Sequence, residues 1–494
     1  MSKETPLGTI SIPNKTDFIP AIGKFATAIS EMAGFSQEEQ GKIELALEEA
    51  CLHVINHSFF PEEDAEYNIR FVKLASGIAI HVHDMGLPYD PSILPDFNPS
   101  GDLLNQDLAG LGSFLIKSTM DEYQFKNLGI KGKEIVLTKY LPGSLIASEN
   151  QNIPEPEIVE PPVAAPVEQI NFDIRRMQAQ EALEICRCIY DCYGYSYANE
   201  NVYFPERVAA MNQNGKLTSA VAMTPEGEMG GHFALIHYEK LPSEAGIAVT
   251  KKKFRGQGFA RQLGEYLEVE ARQAHLRGIQ VKEVTAHPYT QKFCLKLGYK
   301  DCGLLLAHSP KSLSFKGIAD TLAQRNSDVL GFKYLETPQH RSIYPTKKHQ
   351  SMIELLFSNL GDNVSSEFAA NARYLREKSS SEITVNHLRS LAEIFILETG
   401  EDLIPILKNE MKKIFRDEIQ VIELYLSLND PMAPQVVEQL ETLGFIFTGI
   451  LPETGIGDAM ILQYFNGVHI DFERIVLVTD SAKQLMEYVK QQME

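Results

Sequence analysis

Between Ile146 and Gln169 the chain runs IASENQNIPEPEIVEPPVAAPVEQ, with five prolines, five glutamates and no basic residue. Proline removes backbone donors and unbalanced negative charge keeps a segment extended, so this stretch cannot bury enough apolar surface to fold. It reads as an acidic linker over 146–170 and cuts the 494 residues into separate folding problems. A first domain is expected over 1–145. The portion of the chain beyond the linker exceeds the length at which a single core stops growing. The formal charge of −20 argues against a general nucleic-acid or anionic-membrane binder. No run approaches the roughly 18 apolar residues of a membrane span, and MSKETPLGTISIPNKT lacks the apolar core of a secretory signal. Six cysteines are too few for a disulfide framework in so long a chain. A cytoplasmic protein with no direct nucleic-acid or membrane partner is expected.

In the first domain, IELALEEACLHVINHSF (43–59) predicts a helix that is apolar nearly all round. Glu49, His53, Asn56 and His57 nevertheless fall on one polar stripe. Two alternating strands come next, 67–73 and 77–83, and run into Asp84, Gly86 and Pro88. A carboxylate on such a turn can accept a hydrogen bond from a ligand amine, and the glycine lets the ligand approach the backbone. Further on, DLAGLGSFLIKSTMDEYQF (107–125) has a glycine loop opening a helix, where free N–H groups favour phosphate. A solvated helix face is the plain alternative for the stripe, but the two glycine motifs in this order point to a ligand.

Over residues 8–141 this order resembles the GHKL ATPases, in particular the small bacterial anti-sigma-factor serine kinases. The resemblance implies ATP as ligand. Glu49 would polarise the attacking hydroxyl, Asp84 would bind the adenine amine, Gly86 would close on the ring, and Gly110 and Gly112 would shape the lid over the phosphates. It also implies a sigma factor or anti-anti-sigma protein as partner. Where the family holds Mg²⁺ with Asn, this chain has His53, and a neutral imidazole is a poor magnesium ligand. Mg²⁺ is therefore left open, and no protein metal site is expected.

The second part carries SEAGIAVTKKKFRGQGFARQLGEYLEVEARQAHLRGI (243–279). A short strand, 246–250, leads into Arg255, Gly256, Gln257, Gly258, Phe259 and Ala260, which open a long helix with Leu263, Leu267 and Ala271 on its core face. Glycines at 256 and 258 clear the space where successive N–H groups must point at a pyrophosphate. Three lysines are usually a solvated charge run, but Lys251–Lys253 beside Arg255 favour phosphate contact. With the later KLGY, residues 171–308 resemble the GNAT N-acetyltransferases. The resemblance implies acetyl-CoA, held by the 256–260 amides and by strand residues including Ala248 and Val249, and an amine acceptor on a protein or small molecule. Glu244 is a candidate general base. The family's usual acid tyrosine is replaced by Cys294, and Tyr289 or His287 could protonate the departing thiolate. Cys186, Cys188 and Cys192 lack partners for a zinc site and read as packed thiols.

CLKLGYKDCGLLL (294–306) is echoed by LETLGFIFTGILP (440–452), and each comes after a strand-like run. A repeated αβ module would explain this. Residues 311–350 read as a connecting segment, and 351–494 as a degenerate GNAT-like domain without the R-x-x-G-x-A loop. The expected fold class is α/β (α+β): a GHKL-type α/β sandwich over 1–145 joined by the linker to a tandem GNAT-like unit, catalytic over 171–310. The function expected is bacterial regulation that couples ATP binding to acetyl-CoA-dependent N-acetylation. The alternatives are a non-catalytic partner-switching protein that senses ATP and acetyl-CoA, or an active serine kinase with an acetyltransferase-like appendage.

Overall fold

The computed structural model describes residues 5–60, 63–74, 76–88, 110–141, 172–197, 199–255, 257–312, 322–369 and 372–493. The predicted linker and Gly256 lie outside these residues. Helices and strands are mixed throughout, as the α/β class expects. They form two compact units.

The first unit contains β1 (Thr5–Pro13), α1 (Ile19–Met32), α2 (Gln37–His57), β2 (Glu66–Leu74) and β3 (Gly77–Asp84). Then come α3 (Leu111–Thr119), β4 (Glu122–Asn127) and β5 (Lys133–Tyr140). The strands make an antiparallel sheet in the order β1-β2-β3-β5-β4. Ser36 caps α2 by accepting from the Glu39 N–H, an arrangement that satisfies one of the helix's orphan donors. The helix buries Ile43, Leu47, Ala50, Cys51 and Val54 against Ile69, Phe71, Ile78, Ile80 and Val82. Of the polar stripe, Asn56 is exposed, and Glu49, His53 and His57 are half-buried.

The first unit also takes residues 180–191 and 200–208, which the sequence boundaries assign to the acetyltransferase-like domain. The Asn127 side-chain amide donates to the Tyr203 carbonyl at 3.0 Å. Gly129, at φ +61°, has no side chain where the Phe204 ring packs. Neither contact could be read from local periodicity, because each joins segments on opposite sides of the linker.

The second unit begins at β6 (Asp173–Arg176) and takes the last residues of α4 (Ala182–Tyr193) and of α5 (Pro205–Gln213). Its central module continues through β7 (Leu217–Met223), β8 (Met229–Ile236), β9 (Glu244–Thr250), α6 (Phe259–Gln273) and β10 (Gly278–Val284). It ends with α7 (Tyr289–Lys296), β11 (Lys300–Ser309) and β12 (Asn326–Tyr334). After β13 (Arg341–Ile343), α8 (Gln350–Asn359) and β14 (Val364–Ser366) comes the C-terminal module. It comprises β15 (Ser380–Asn386), β16 (Leu391–Glu398), α9 (Leu403–Arg416), β17 (Val421–Ser427), α10 (Ala433–Thr442), β18 (Ile446–Thr454), β19 (Gly457–Phe465) and α11 (Asp480–Met493).

Among the described residues one sheet of twelve strands runs through both modules, in the order β15-β16-β17-β19-β18-β11-β12-β10-β9-β8-β7-β6. Strand–helix–strand–helix–strand–strand recurs in β9–α6–β10–α7–β11–β12 and in β16–α9–β17–α10–β18–β19. The repeat suggested by the sequence echo is thus a repeat of structure. The expected connecting segment over 311–350 is different: β12 lies inside it and pairs along its length with both β10 and β11. The central module therefore extends to Tyr334. The modules join where Gly303 of β11 pairs with Gly449 of β18, and these glycines occupy matching places in the echoed segments. A Cβ on Gly449 would collide with the Gly303 backbone.

Candidate functional sites

In the first unit, Glu49, His53 and His57 project from one face of α2, as the stripe predicted. Gly112 stands one residue inside α3, and a Cβ there would meet the Glu49 carboxylate at 2.8 Å. Burial, and then the neighbouring Glu48, raises the Glu49 pKa. Gly110 starts α3 in the left-handed conformation, φ 85°, which glycine adopts without strain. The glycine-led helix is therefore present, with the Glu49 carboxylate against its first turn.

Asp84 ends β3 and is buried. Its Oδ1 accepts from the Gly86 N–H at 2.9 Å and from the Lys133 ammonium. Lys133, at the start of β5, was missed by the sequence reading, because the register that sets it opposite Asp84 joins residues 49 apart. Burial lowers the Lys133 pKa and the Asp84 carboxylate opposes that fall. Gly86 is required by its own chain as well, since a Cβ would run into the Ser58 carbonyl. The Tyr190 hydroxyl donates to the Met85 carbonyl at 2.8 Å, and Arg187 Nε donates to the Pro88 carbonyl at 3.2 Å. The Asp84–Pro88 turn is thus braced by a helix from beyond the linker.

The His53 and His57 rings lie 4.7 Å apart. Burial, then the fields of His57 and Lys133, pushes the His53 pKa down to about 3. The imidazole is neutral at ordinary pH, and a cation already acts on it. Magnesium prefers oxygen ligands in octahedral array, so this donor set does not fit Mg²⁺. Asp84, the glycine turn and the helix start do fit an adenine nucleotide. Asp84 Oδ2, which carries neither of the bonds above, can accept from the adenine amine.

In the second unit a cavity of about 620 Å³ opens beside β9. It is lined by the strand from Glu244 to Thr250 and by Arg255 and Ala260. One side of β9 pairs with β8, while its other side meets β10 only at Glu244–Gln280. Beyond that single pairing the two parallel strands splay apart. Ile247, at φ 57°, and Ala248 sit where the β8 register shifts, a bulge that turns the strand outward. The far edge of β9 therefore offers backbone groups to the cavity. At its end, Gly258 caps α6 at φ 80°, with open space where a Cβ would be. Phe259 is buried and anchors the helix. Gln257 and Arg255 flank the helix start, and Gly256 lies outside the described residues. A phosphate-bearing thioester fits this strand edge and helix N-terminus. The lysine run contributes less than expected, because Lys251 and Lys253 pair with Glu228 at 3.5 and 2.6 Å.

Glu244 lines the cavity, but it is not a free base. It is held by Lys282 and by the Tyr238 hydroxyl, each at 3.0 Å. Burial works to raise its pKa, yet Lys282, Arg389 and Tyr238 together outweigh burial and hold it below the usual carboxylate range. Cys294 also lines the cavity, and burial with Glu283 beside it drives its thiol well above the usual value. Such a thiol gives up its proton less readily than a CoA thiol, which argues against Cys294 as the acid. Tyr289 stands exposed at the start of α7, its ring 5.3 Å from His287, and both border the same cavity. Several lining residues went unrecognised in the sequence, among them Tyr197, Asp328 and Arg389. Tyr197 has its pKa raised to about 12 by burial and then by Glu244. Asp328, on β12, has its pKa raised by burial. Arg389 comes from the C-terminal module.

All six cysteines are free thiols; Cys186 and Cys188 are packed, whereas Cys192 borders the cavity. Among the described residues no helix is long and apolar enough to cross a membrane.

The first unit is similar to known proteins over most of its length. Residues 12–139 match the histidine kinase-like ATPase domain. Over 138 residues the chain is 28% identical to the serine-protein kinase RsbW of Listeria monocytogenes, spanning 27% of this chain and 86% of that protein. The RsbW of Bacillus subtilis is 24% identical over 141 residues, 28% of this chain and 87% of the relative. Solved structures similar to the rest include an N-acetyltransferase from Staphylococcus aureus, at 16% identity, 34% of this chain, 99% of that chain and a TM-score of 0.28. With a score that low, the catalytic reading of the central module rests on β9, its bulge and the loop before α6.

Proposed function

We propose that the second unit is an acetyl-CoA-dependent N-acetyltransferase and the first a nucleotide-binding regulatory domain of the anti-sigma-kinase type. The observation that carries the first half is the unpaired edge of β9, splayed from β10 and ending on the left-handed Gly258 helix start. Acetyl-CoA would lie with its pantetheine along residues 246–250 and its phosphates on the amides that open α6. When bound it supplies an activated acetyl thioester. The chain's own part is to align an amine at the Glu244 end of β9 and to take up its proton. Asp328, with a raised pKa, is a better proton acceptor than Glu244, which Lys282 neutralises. Tyr289 is the better placed donor to sulfur.

For the first unit, His53 and Lys133 favour nucleotide binding over phosphotransfer. The partner would be a sigma factor or anti-anti-sigma protein in the cytoplasm, bound according to the nucleotide held. Calorimetry of the full chain with ATP, ADP and acetyl-CoA, each with and without magnesium, tests both halves. One acetyl-CoA site and magnesium-independent nucleotide binding are expected. No acetyl-CoA binding would overturn the acetyltransferase reading, and magnesium-dependent phosphorylation of a protein substrate would overturn the regulatory one.

A further inference from the structure

The acceptor end of the cavity holds an arginine with one donor that the protein does not use. Arg389 sits in the turn between β15 and β16 and lines the cavity from the C-terminal module. Its Nε is buried without a hydrogen-bond partner. Its Nη1 lies 3.4 Å from His308 Nε2, and His308 Nδ1 is 2.8 Å from the buried carboxylate of Glu423. A bond from the guanidinium needs a lone pair on Nε2, so the imidazole proton sits on Nδ1 and is donated to Glu423. Glu423 and His308 thus orient Arg389, but no carboxylate reaches ion-pair distance of it among the described residues. The other charged groups nearby have hydrogen-bond partners of their own, and neither carboxylate pairs with Arg389. Lys282 pairs with Glu244, and Asp328 accepts from the Asn326 amide at 2.6 Å.

A donor N–H that is buried and unused, as at Nε of the half-buried Arg389, is costly unless something completes it. The planar fork of arginine matches a carboxylate in two-point contact. Position along the cavity decides which carboxylate. The field of Arg389 acts on Glu244, Tyr238 and Lys282, at the start of β9, and on Tyr197 and Asp328 across the same part of the cavity. The phosphate-holding loop lies past the other end of that seven-residue strand, roughly 20 Å away at about 3.3 Å per residue. Arg389 therefore faces the acceptor, not the phosphates.

We infer that the acetyl acceptor is an amino acid, an amine whose own carboxylate pairs with Arg389 while its nitrogen faces the thioester. The inference rests on the acetyltransferase reading above. In the transfer, the amine nitrogen bonds to the acetyl carbon and the carbon–sulfur bond breaks. One amine proton leaves to the solvent through a cavity carboxylate, and the thiolate takes one up, leaving the N-acetyl amino acid and CoA thiol. The C-terminal module, which lacks a phosphate cradle, supplies the acceptor's specificity residue.

The test uses the full chain and the twenty standard α-amino acids, each compared with its carboxamide. CoA release is followed with a thiol reagent, and binding to CoA-saturated protein by calorimetry. At least one amino acid should bind and be acetylated, with kcat/KM tenfold or more above its amide. Arg389→Gln should erase that preference mainly through KM and leave CoA affinity unchanged, with Arg389→Lys intermediate. If Arg389→Gln fails to fold, the acid-to-amide ratio on the unaltered chain decides. Acid and amide used equally, an unaltered preference in Arg389→Gln, a weakened CoA affinity in that variant, or no amino acid bound by CoA-loaded protein would overturn the inference alone. Failure of the unaltered chain to bind CoA would instead overturn the acetyltransferase reading beneath it.

Discussion

The two halves of the second unit differ most at one pair of parallel strands. In the central module β9 and β10 share a single pairing and then part, which creates a cleft with an unused strand edge. In the C-terminal module the matching strands, β16 and β17, stay in register from Leu391–Val421 to Phe395–Tyr425. No edge is left over between them. The loops after these strands diverge in the same sense: Arg255–Ala260 opens α6 on a left-handed glycine, whereas α9 starts from Asp402, a carboxylate that would repel phosphate. A fold can thus be repeated faithfully while its binding site is closed by pairing two strands. The closed half still contributes, because the turn before β16 carries Arg389.

The largest effect should come from Gly258→Asp. At φ 80° Asp carries backbone strain of about 1–2 kcal/mol, to be read separately by urea unfolding, while a negative charge enters the phosphate site. Acetyl-CoA affinity should fall more than a hundredfold, from one site per chain by calorimetry. A second site surviving in the variant would break the comparison between the modules. Next is Gly449→Ala, which places a methyl against the Gly303 backbone. Urea unfolding should show a loss of roughly 2–4 kcal/mol, as expected for strain and overpacking. A neutral result would mean that the seam yields.

Lys282→Met sharpens the comparison at the acceptor end. Lys282 holds the Glu244 pKa down, so its removal should raise it and move the acid limb of kcat/KM to higher pH by roughly a unit or more, if Glu244 must be ionised. Stability has a corresponding sign. Because Glu244 is depressed in the fold, its contribution is present above its unfolded value of about 4.3 and fades as pH falls through the folded value. In Lys282→Met that contribution should vanish, read as a flatter loss of melting temperature between pH 5 and about 3. The smallest effect is His53→Asn, which should make ATP binding magnesium-responsive, a gain of about three- to tenfold on adding the ion. Affinity that ignores magnesium in both forms would show that the His53 position does not govern metal binding.

Local signals were legible: the stripe on α2, the strand before α6 with the glycine that opens that helix, and the echo behind the tandem modules. Each is written within about twenty consecutive residues. The missed features are pairings between distant segments. β12 was lost in a supposed connector because a strand is defined by its neighbours, here β10 and β11. Lys133 meets Asp84 only through sheet register, and Tyr190 reaches Met85 from beyond the linker. Arg389 sits in a stretch without an R-x-x-G-x-A loop, so absence of one motif concealed a residue that lines the neighbouring module's cavity. Cys294 and Glu244, named as catalytic candidates, both line the cavity, but their ionisation depends on Glu283 and Lys282, which periodicity does not reveal.

Gly303 and Gly449 meet as a residue meets its own counterpart across a two-fold axis. The second unit is, in that sense, a symmetric pair with its halves tethered. Two free subunits would come apart on dilution and would have to carry every substitution twice. Tethered halves do neither: their seam is independent of protein concentration, and each half can change alone. One has the splayed strand and the glycine-led helix start, and the other is at liberty to remodel the single turn that carries Arg389.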